Sequence, residues 1–176
     1  MKKILVTFLV LMSMLPCFAS EQSVMIDATA AFNAAMRGAS QSNLSQVDKD
    51  VLGLGLVGMQ YMGTLRGDDL INAGNLMLRK LPYTKAIAPS KKPTMKFMAH
   101  MFVAVGRALC FEFTDAHKHL NQMNLIKNQV PDGAAQYDNI KNTITTIETV
   151  YSQAKNQGYN TDEQRMRLMI KRQLGM

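Results

Sequence analysis

The stretch VLGLGLVGMQYMG, residues 51–63, decides the fold class because it is compatible with two different structures. Its segment Gly53–Gly58 has the G-x-G-x-x-G order of a dinucleotide-binding turn. Such a turn follows a buried strand, but only two apolar residues separate its first glycine from the charged Asp48-Lys49-Asp50. We therefore predict no nucleotide site here. We expect a buried helix whose glycines let a second helix approach closely, with a strand-like segment as the structural alternative.

The rest of the sequence favours helices. Apolar residues recur at helical spacing, and the alternating pattern of a half-buried strand is nearly absent. The clearest helical period runs through Tyr137, Ile140, Ile144, Ile147 and Tyr151. We predict an all-α, single-domain bundle of five or six helices over residues 20–176, wrapped around one long central helix at residues 94–129. Residues 82–93 contain three prolines and three lysines and are predicted to be an exposed linker.

The first 19 residues have the layout of a secretory signal peptide. Lys2 and Lys3 precede a largely apolar run, which ends at Pro16 and is followed by small residues. Cleavage after Ala19 predicts a mature protein that begins at Ser20 and is periplasmic or secreted. We predict no transmembrane span in the mature chain, because its glycine stretch is too short and too polar to cross a bilayer.

The mature chain is moderately basic. Removing the two leader lysines from the 20 lysines and arginines leaves 18 against 13 acidic residues, a net charge of about +5. This charge favours acidic partners or weak contact with an anionic membrane surface. Export makes nucleic acid an improbable partner.

A polar stripe is predicted on the central helix. With about 100° of rotation per residue, Lys96, His100 and Arg107 fall together on a surface that is otherwise apolar. The stripe fits either a solvated face or a basic, histidine-containing groove for an acidic ligand or partner segment. Glu112 falls on the apolar side, where a carboxylate needs a partner or a bend that exposes it. These four residues are candidate partner-binding residues.

The C-terminal stretch TDEQRMRLMIKRQLGM, residues 161–176, predicts a short amphipathic helix. Its apolar side could rest on the protein's own core, in a groove of a partner or on an anionic membrane. Its opposite side carries four further candidate partner-binding residues, Arg165, Arg167, Lys171 and Arg172.

A methionine-rich segment at the start of the central helix suggests a metal site as the alternative function. Thioethers at three-residue spacing beside an imidazole suit Cu(I) in an exported protein. The candidate ligands are Met95, Met98, Met101 and His100. Core filling competes with this interpretation, because the mature chain has methionines throughout.

No catalytic constellation is present in the sequence. We find no serine nucleophile turn, no pair of histidines at zinc spacing on a helix and no calcium loop. We therefore predict a non-enzymatic helical protein that binds another envelope protein. It would act as an accessory, stabilising, inhibitor or immunity-type factor, or as part of a secretion assembly. Copper binding is the alternative.

Overall fold

The computed structural model of the protein describes residues 20–37, 44–158, 169–170 and 172–173. The predicted signal peptide, residues 1–19, lies outside the described residues. Throughout the described ranges the regular secondary structure is helical, without strands, which confirms the all-α prediction.

The described part of the chain forms six α-helices. They are α1 (Glu21–Ala35), α2 (Gln46–Thr64), α3 (Gly67–Lys80), α4 (Lys92–Leu109), α5 (Phe113–Ile126) and α6 (Gly133–Asn156). Short 3₁₀ turns cover Leu81–Tyr83, Pro89–Lys91 and Lys127–Gln129. None of these helices is long and apolar enough to cross a membrane.

The hydrophobic core is organised around α4. This helix packs against α2, α3, α5 and α6, and most of its side chains are buried. One continuous cluster of buried residues joins all six helices and also includes Ile170 near the C-terminus. The largest fully buried side chains include Leu54, Phe97, Phe102, Met123 and Ile147.

The glycine stretch lies in α2, as a buried helix. Ser45 caps the helix start in a capping box with Asp48. A Cβ on Gly53 would overlap the carbonyl of Ala28 in α1, so the absence of a side chain lets the two backbones touch. The loss of helix propensity at glycine is offset by this close packing.

The prediction of one long helix over residues 94–129 is wrong. The amide of Glu112 donates to the carbonyl of Arg107 at 2.8 Å, and the amide of Phe111 donates to that of Ala108 at 3.0 Å. This is a Schellman ending, with Phe111 in the left-handed region at φ 62°. The Phe111 ring stacks on Tyr151 of α6 at a centroid distance of 4.7 Å, which offsets the strained φ. The chain therefore reverses and continues as α5.

Candidate functional site

Two histidines face each other where α4 contacts α5. Nδ1 of His100 lies 3.0 Å from Nδ1 of His119, and the ring centroids are 5.2 Å apart. In a neutral pair, one Nδ1–H donates to the other ring nitrogen. His100 is only 7% exposed, and its Nε2 has no hydrogen-bond partner among the described residues. The contact is thus a largely buried imidazole pair with one unpartnered polar atom.

Burial and nearby cations favour the neutral form of both imidazoles. Burial is the largest cause, followed by His119 and Lys96, and together they lower the pKa of His100 to about 4. The pKa of His119 is also lowered, first by burial and then by Arg107, while Asp115 acts in the opposite direction. Neither ring is therefore a cation at neutral pH, and each can offer a nitrogen lone pair.

The turn between α4 and α5 exposes Glu112 and pairs it with Arg107. The Glu112 side chain is 46% exposed at the N-cap position of α5. Its predicted place on the apolar side of a continuous helix is therefore corrected, because the chain turns at Phe111. Lys118 makes a similar exposed pair with Asp115, at 2.7 Å.

Four lysines lie in the segment before α4 and in the first two turns of that helix. We call Lys85, Lys91, Lys92 and Lys96 the basic edge. All but Lys92 are exposed, and within the described ranges those three form no ion pair. The Lys92 ammonium donates to the carbonyl of Thr84 at 3.1 Å, which ties the start of α4 to the preceding segment.

The buried Asp48 fixes the backbone at one end of the basic edge, beside Lys85. Its carboxylate accepts hydrogen bonds of 3.0 Å from the amides of Lys85 and Ala86, and others from the amide and hydroxyl of Ser45. Burial alone would raise the pKa of Asp48, but the hydrogen bonds from Ser45, Ala86 and Lys85 outweigh burial and lower it. An ionised carboxylate therefore holds the start of this surface segment against α2.

The predicted Met/His set is divided between different neighbours of α4. The sulfur of Met98 and the methyl of Met95 lie 3.6 Å and 3.8 Å from where a Cβ on Gly55 would stand. Met101 is buried in the core. His100 contacts α5 instead. The structure thus brings Met95 and Met98 together beside α2 and places His100 against another helix.

The C-terminal candidates fall largely outside the described residues. Arg165, Arg167 and Lys171 lie there, whereas Arg172 is helical and exposed. Ile170 is fully buried in the core cluster. At this residue the C-terminal segment packs on the protein's own core.

Sequence reasoning missed the contact of His119 with His100 and the contact of Asp48 with the backbone at Lys85. On a continuous helix, His119 stands about 100° away from His100, so only the turn at Phe111 brings the two rings together. The order Ser45-Gln46-Val47-Asp48 is typical of a helix-capping box, which accounts for the bonds between Asp48 and Ser45 but not for those to the distant segment 85–86. Lys85 was visible only as one charge of the linker.

The chain matches no family model, no curated protein and no solved structure.

Proposed function

We propose that the protein is an exported, non-enzymatic helical protein that binds an acidic segment of another envelope protein through the basic edge. The observation that carries the proposal is the exposure of Lys85, Lys91 and Lys96, which form no ion pairs among the described residues. Asp48 holds the backbone at Lys85, and the Lys92 ammonium ties the start of α4 to Thr84. A surface whose backbone is already ordered loses less conformational entropy when a partner binds. Its positive charge attracts a carboxylate-rich segment of a partner and disfavours the binding of basic segments.

An exposed aromatic side chain adjoins the basic edge. Tyr83 is 73% exposed and lies in a short 3₁₀ turn two residues before Lys85. Tyrosine is enriched at protein interfaces because its ring supplies apolar area and its hydroxyl a hydrogen bond. Pro82, Pro89 and Pro93 restrict the backbone around it. The edge therefore offers both charge and apolar contact to a protein partner.

Of the partner-binding residues predicted on α4, Lys96 belongs to this surface. His100 is largely buried, and Arg107 is paired with Glu112. The exposed Arg172 supports a second basic contact at the C-terminus. Arg165, Arg167 and Lys171, which lie outside the described residues, remain part of this proposal from their places in the sequence alone. The proposed role is that of an accessory, stabilising, inhibitor or immunity-type factor, or of a component of a secretion assembly.

Site-specific photo-crosslinking tests the proposal. A photoreactive amino acid replaces Lys91 in the basic edge, and in the matched control it replaces Lys141, an exposed lysine of α6. We expect one protein adduct of defined mass from position 91 in cells that produce the protein, and none from position 141. Adducts of the same mass from both positions would contradict the proposal. Cosedimentation with anionic vesicles, without a protein adduct, would instead identify the edge as a peripheral membrane contact.

A further inference from the structure

The imidazoles of His100 and His119 meet head-on. The ring centroids are 5.2 Å apart and the Nδ1 atoms 3.0 Å apart, and the two ring radii account for the difference. Both nitrogens therefore lie close to the line that joins the rings. The lone pair of an unprotonated imidazole nitrogen points outward in the ring plane, so the two Nδ1 lone pairs converge between the rings once the Nδ1 proton of the hydrogen-bonded pair is displaced and both rings carry their proton on Nε2. We propose that this pair binds a soft monovalent metal ion, Cu(I) in the first instance, between the two Nδ1 atoms.

The head-on alignment favours linear coordination. Two metal–nitrogen bonds of about 2 Å each require nitrogens about 4 Å apart when linear, and about 3 Å apart when they meet near a right angle. The right-angle arrangement fits the present separation but would need both rings to swing out of alignment. The linear arrangement needs only an opening of about 1 Å. His119 is half-buried and His100 is only 7% exposed, so we expect the opening to come from His119.

The composition of the surroundings favours a monovalent over a divalent ion. Within the described ranges, no third His, Cys, Asp or Glu joins the pair to make a set of three ligands. Divalent zinc, by contrast, takes at least three protein ligands in its common sites. Lys96, Arg107 and Lys118 act on the pair as positive charges, and only Asp115 acts in the opposite direction. A second positive charge on the metal would double this repulsion.

This site differs from the Met/His set predicted from the sequence. Met95 and Met98 contact the notch at Gly55 in α2, whereas the histidine pair joins α4 to α5. The two sets can therefore be separated by mutation. The inference does not depend on partner binding through the basic edge, because no lysine of that edge serves as a ligand and Lys96 acts on the pair only through its charge.

Anaerobic titration of the purified full chain with Cu(I), against a competing chromophoric chelator, tests the inference. We expect one Cu(I) per chain. His119→Gln removes a ligand and should weaken Cu(I) binding at least about tenfold. Even the loss of a residue that only contacts a metal ligand commonly lowers the metal affinity by that factor. The matched control is His117→Gln, an exposed position on the same helix, which should bind like the wild type. The double variant Met95→Leu, Met98→Leu should also bind like the wild type.

Several outcomes would overturn the inference: no Cu(I) binding, equal losses in both histidine variants, or loss in the methionine variant alone. Tighter binding of Zn²⁺ than of Cu(I) would overturn the monovalent assignment. Side-chain ¹H–¹⁵N NMR of the wild type guards against a variant that fails to fold. Cu(I) should shift the Nδ1 resonances of His100 and His119 and leave those of His117 in place; any other pattern contradicts the site.

Discussion

Gly58 of α2 lies directly against the ring of Phe102 of α4, so that a Cβ on Gly58 would overlap the ring. Gly55, one turn earlier, has room for a Cβ in ordinary van der Waals contact, since the nearest atom, the sulfur of Met98, is 3.6 Å from the Cβ position. The two glycines are therefore predicted to respond in opposite directions to alanine. Gly58→Ala should lower the free energy of unfolding by about 1–3 kcal/mol through overpacking. Gly55→Ala should raise it by up to about 1 kcal/mol through helix propensity.

Chemical denaturation of the two variants measures both changes. Gly53→Ala provides the comparison for a backbone clash, because its Cβ would overlap the carbonyl of Ala28, which cannot rotate away. It should destabilise at least as much as Gly58→Ala. Equal effects at Gly55 and Gly58 would contradict the described packing of α2.

The turn at Phe111 yields a second prediction. Phe111→Ala removes the ring that stacks on Tyr151 and leaves a non-glycine residue at φ 62°. Phe111→Gly removes the same ring but tolerates the left-handed backbone. Both variants should be less stable than the wild type, and the glycine variant should be more stable than the alanine variant by about 1 kcal/mol. Thermal or urea unfolding measures the difference, and an alanine variant as stable as the glycine variant would argue against a left-handed residue 111.

Asp48 yields a third prediction, because its two oxygens hold different groups. One oxygen accepts from the amides of Lys85 and Ala86, and the other accepts from Ser45. Asp48→Asn keeps one acceptor and should lose mainly the cap, about 0.5–2 kcal/mol. Asp48→Ala should lose both functions. Hydrogen exchange at Lys85 and Ala86 should therefore accelerate strongly in the alanine variant and less in the asparagine variant; equal acceleration would contradict the division of roles.

The lowered pKa of Asp48 also fixes the sign of its pH dependence. The folded protein binds the proton less tightly than the unfolded chain, so the stabilisation is complete above the ordinary pKa of 3.8. It is lost as the pH falls through the lower folded value. The Asp48→Asn variant should accordingly lose less stability than the wild type below about pH 4.

His100 yields a fourth prediction in a different pH window. Its pKa of about 4 lies below the ordinary 6.5, so the unfolded chain binds more protons between these values. The stability of the wild type should therefore fall as the pH drops from about 6.5 to about 4. His100→Leu should flatten this decline. Val103→Ala, which only removes buried apolar volume, should keep the decline; if it flattens the curve equally, His100 is not the source.

The helical class, the start of α2 and the buried face of α6 could be predicted because residues close together in the sequence determine them. Ser45 and Asp48 mark the start of α2 through a capping box, and the period through Ile144 and Ile147 marks the buried face of α6. Both signals depend on residues within a few positions of each other. The folded protein keeps the helix start and the buried face that these signals predict, because tertiary packing favours the same local structure.

The end of α4 and the histidine pair could not be predicted because their causes are distant in sequence. No glycine or proline marks residues 110–112, and the left-handed Phe111 is supported by Tyr151, 40 positions away. If residues 94–129 are taken as one continuous helix, His100 and His119 fall on different sides of it. The hydrogen bond that the Lys85 amide donates to Asp48 joins residues 37 positions apart, so local sequence patterns could not predict it either. Long-range contacts thus decide the parts of the molecule that concern function.

Charge reversal in the basic edge tests the central claim most directly. Lys85→Glu and Lys91→Glu together are compared with Lys141→Glu and Lys155→Glu on α6, which change the net charge equally at exposed positions. The measurement is the yield of the protein adduct from a photoreactive amino acid at position 96 in each background. We predict loss of the adduct in the first variant and wild-type yield in the second. An undiminished adduct after reversal of Lys85 and Lys91 would contradict binding through the basic edge.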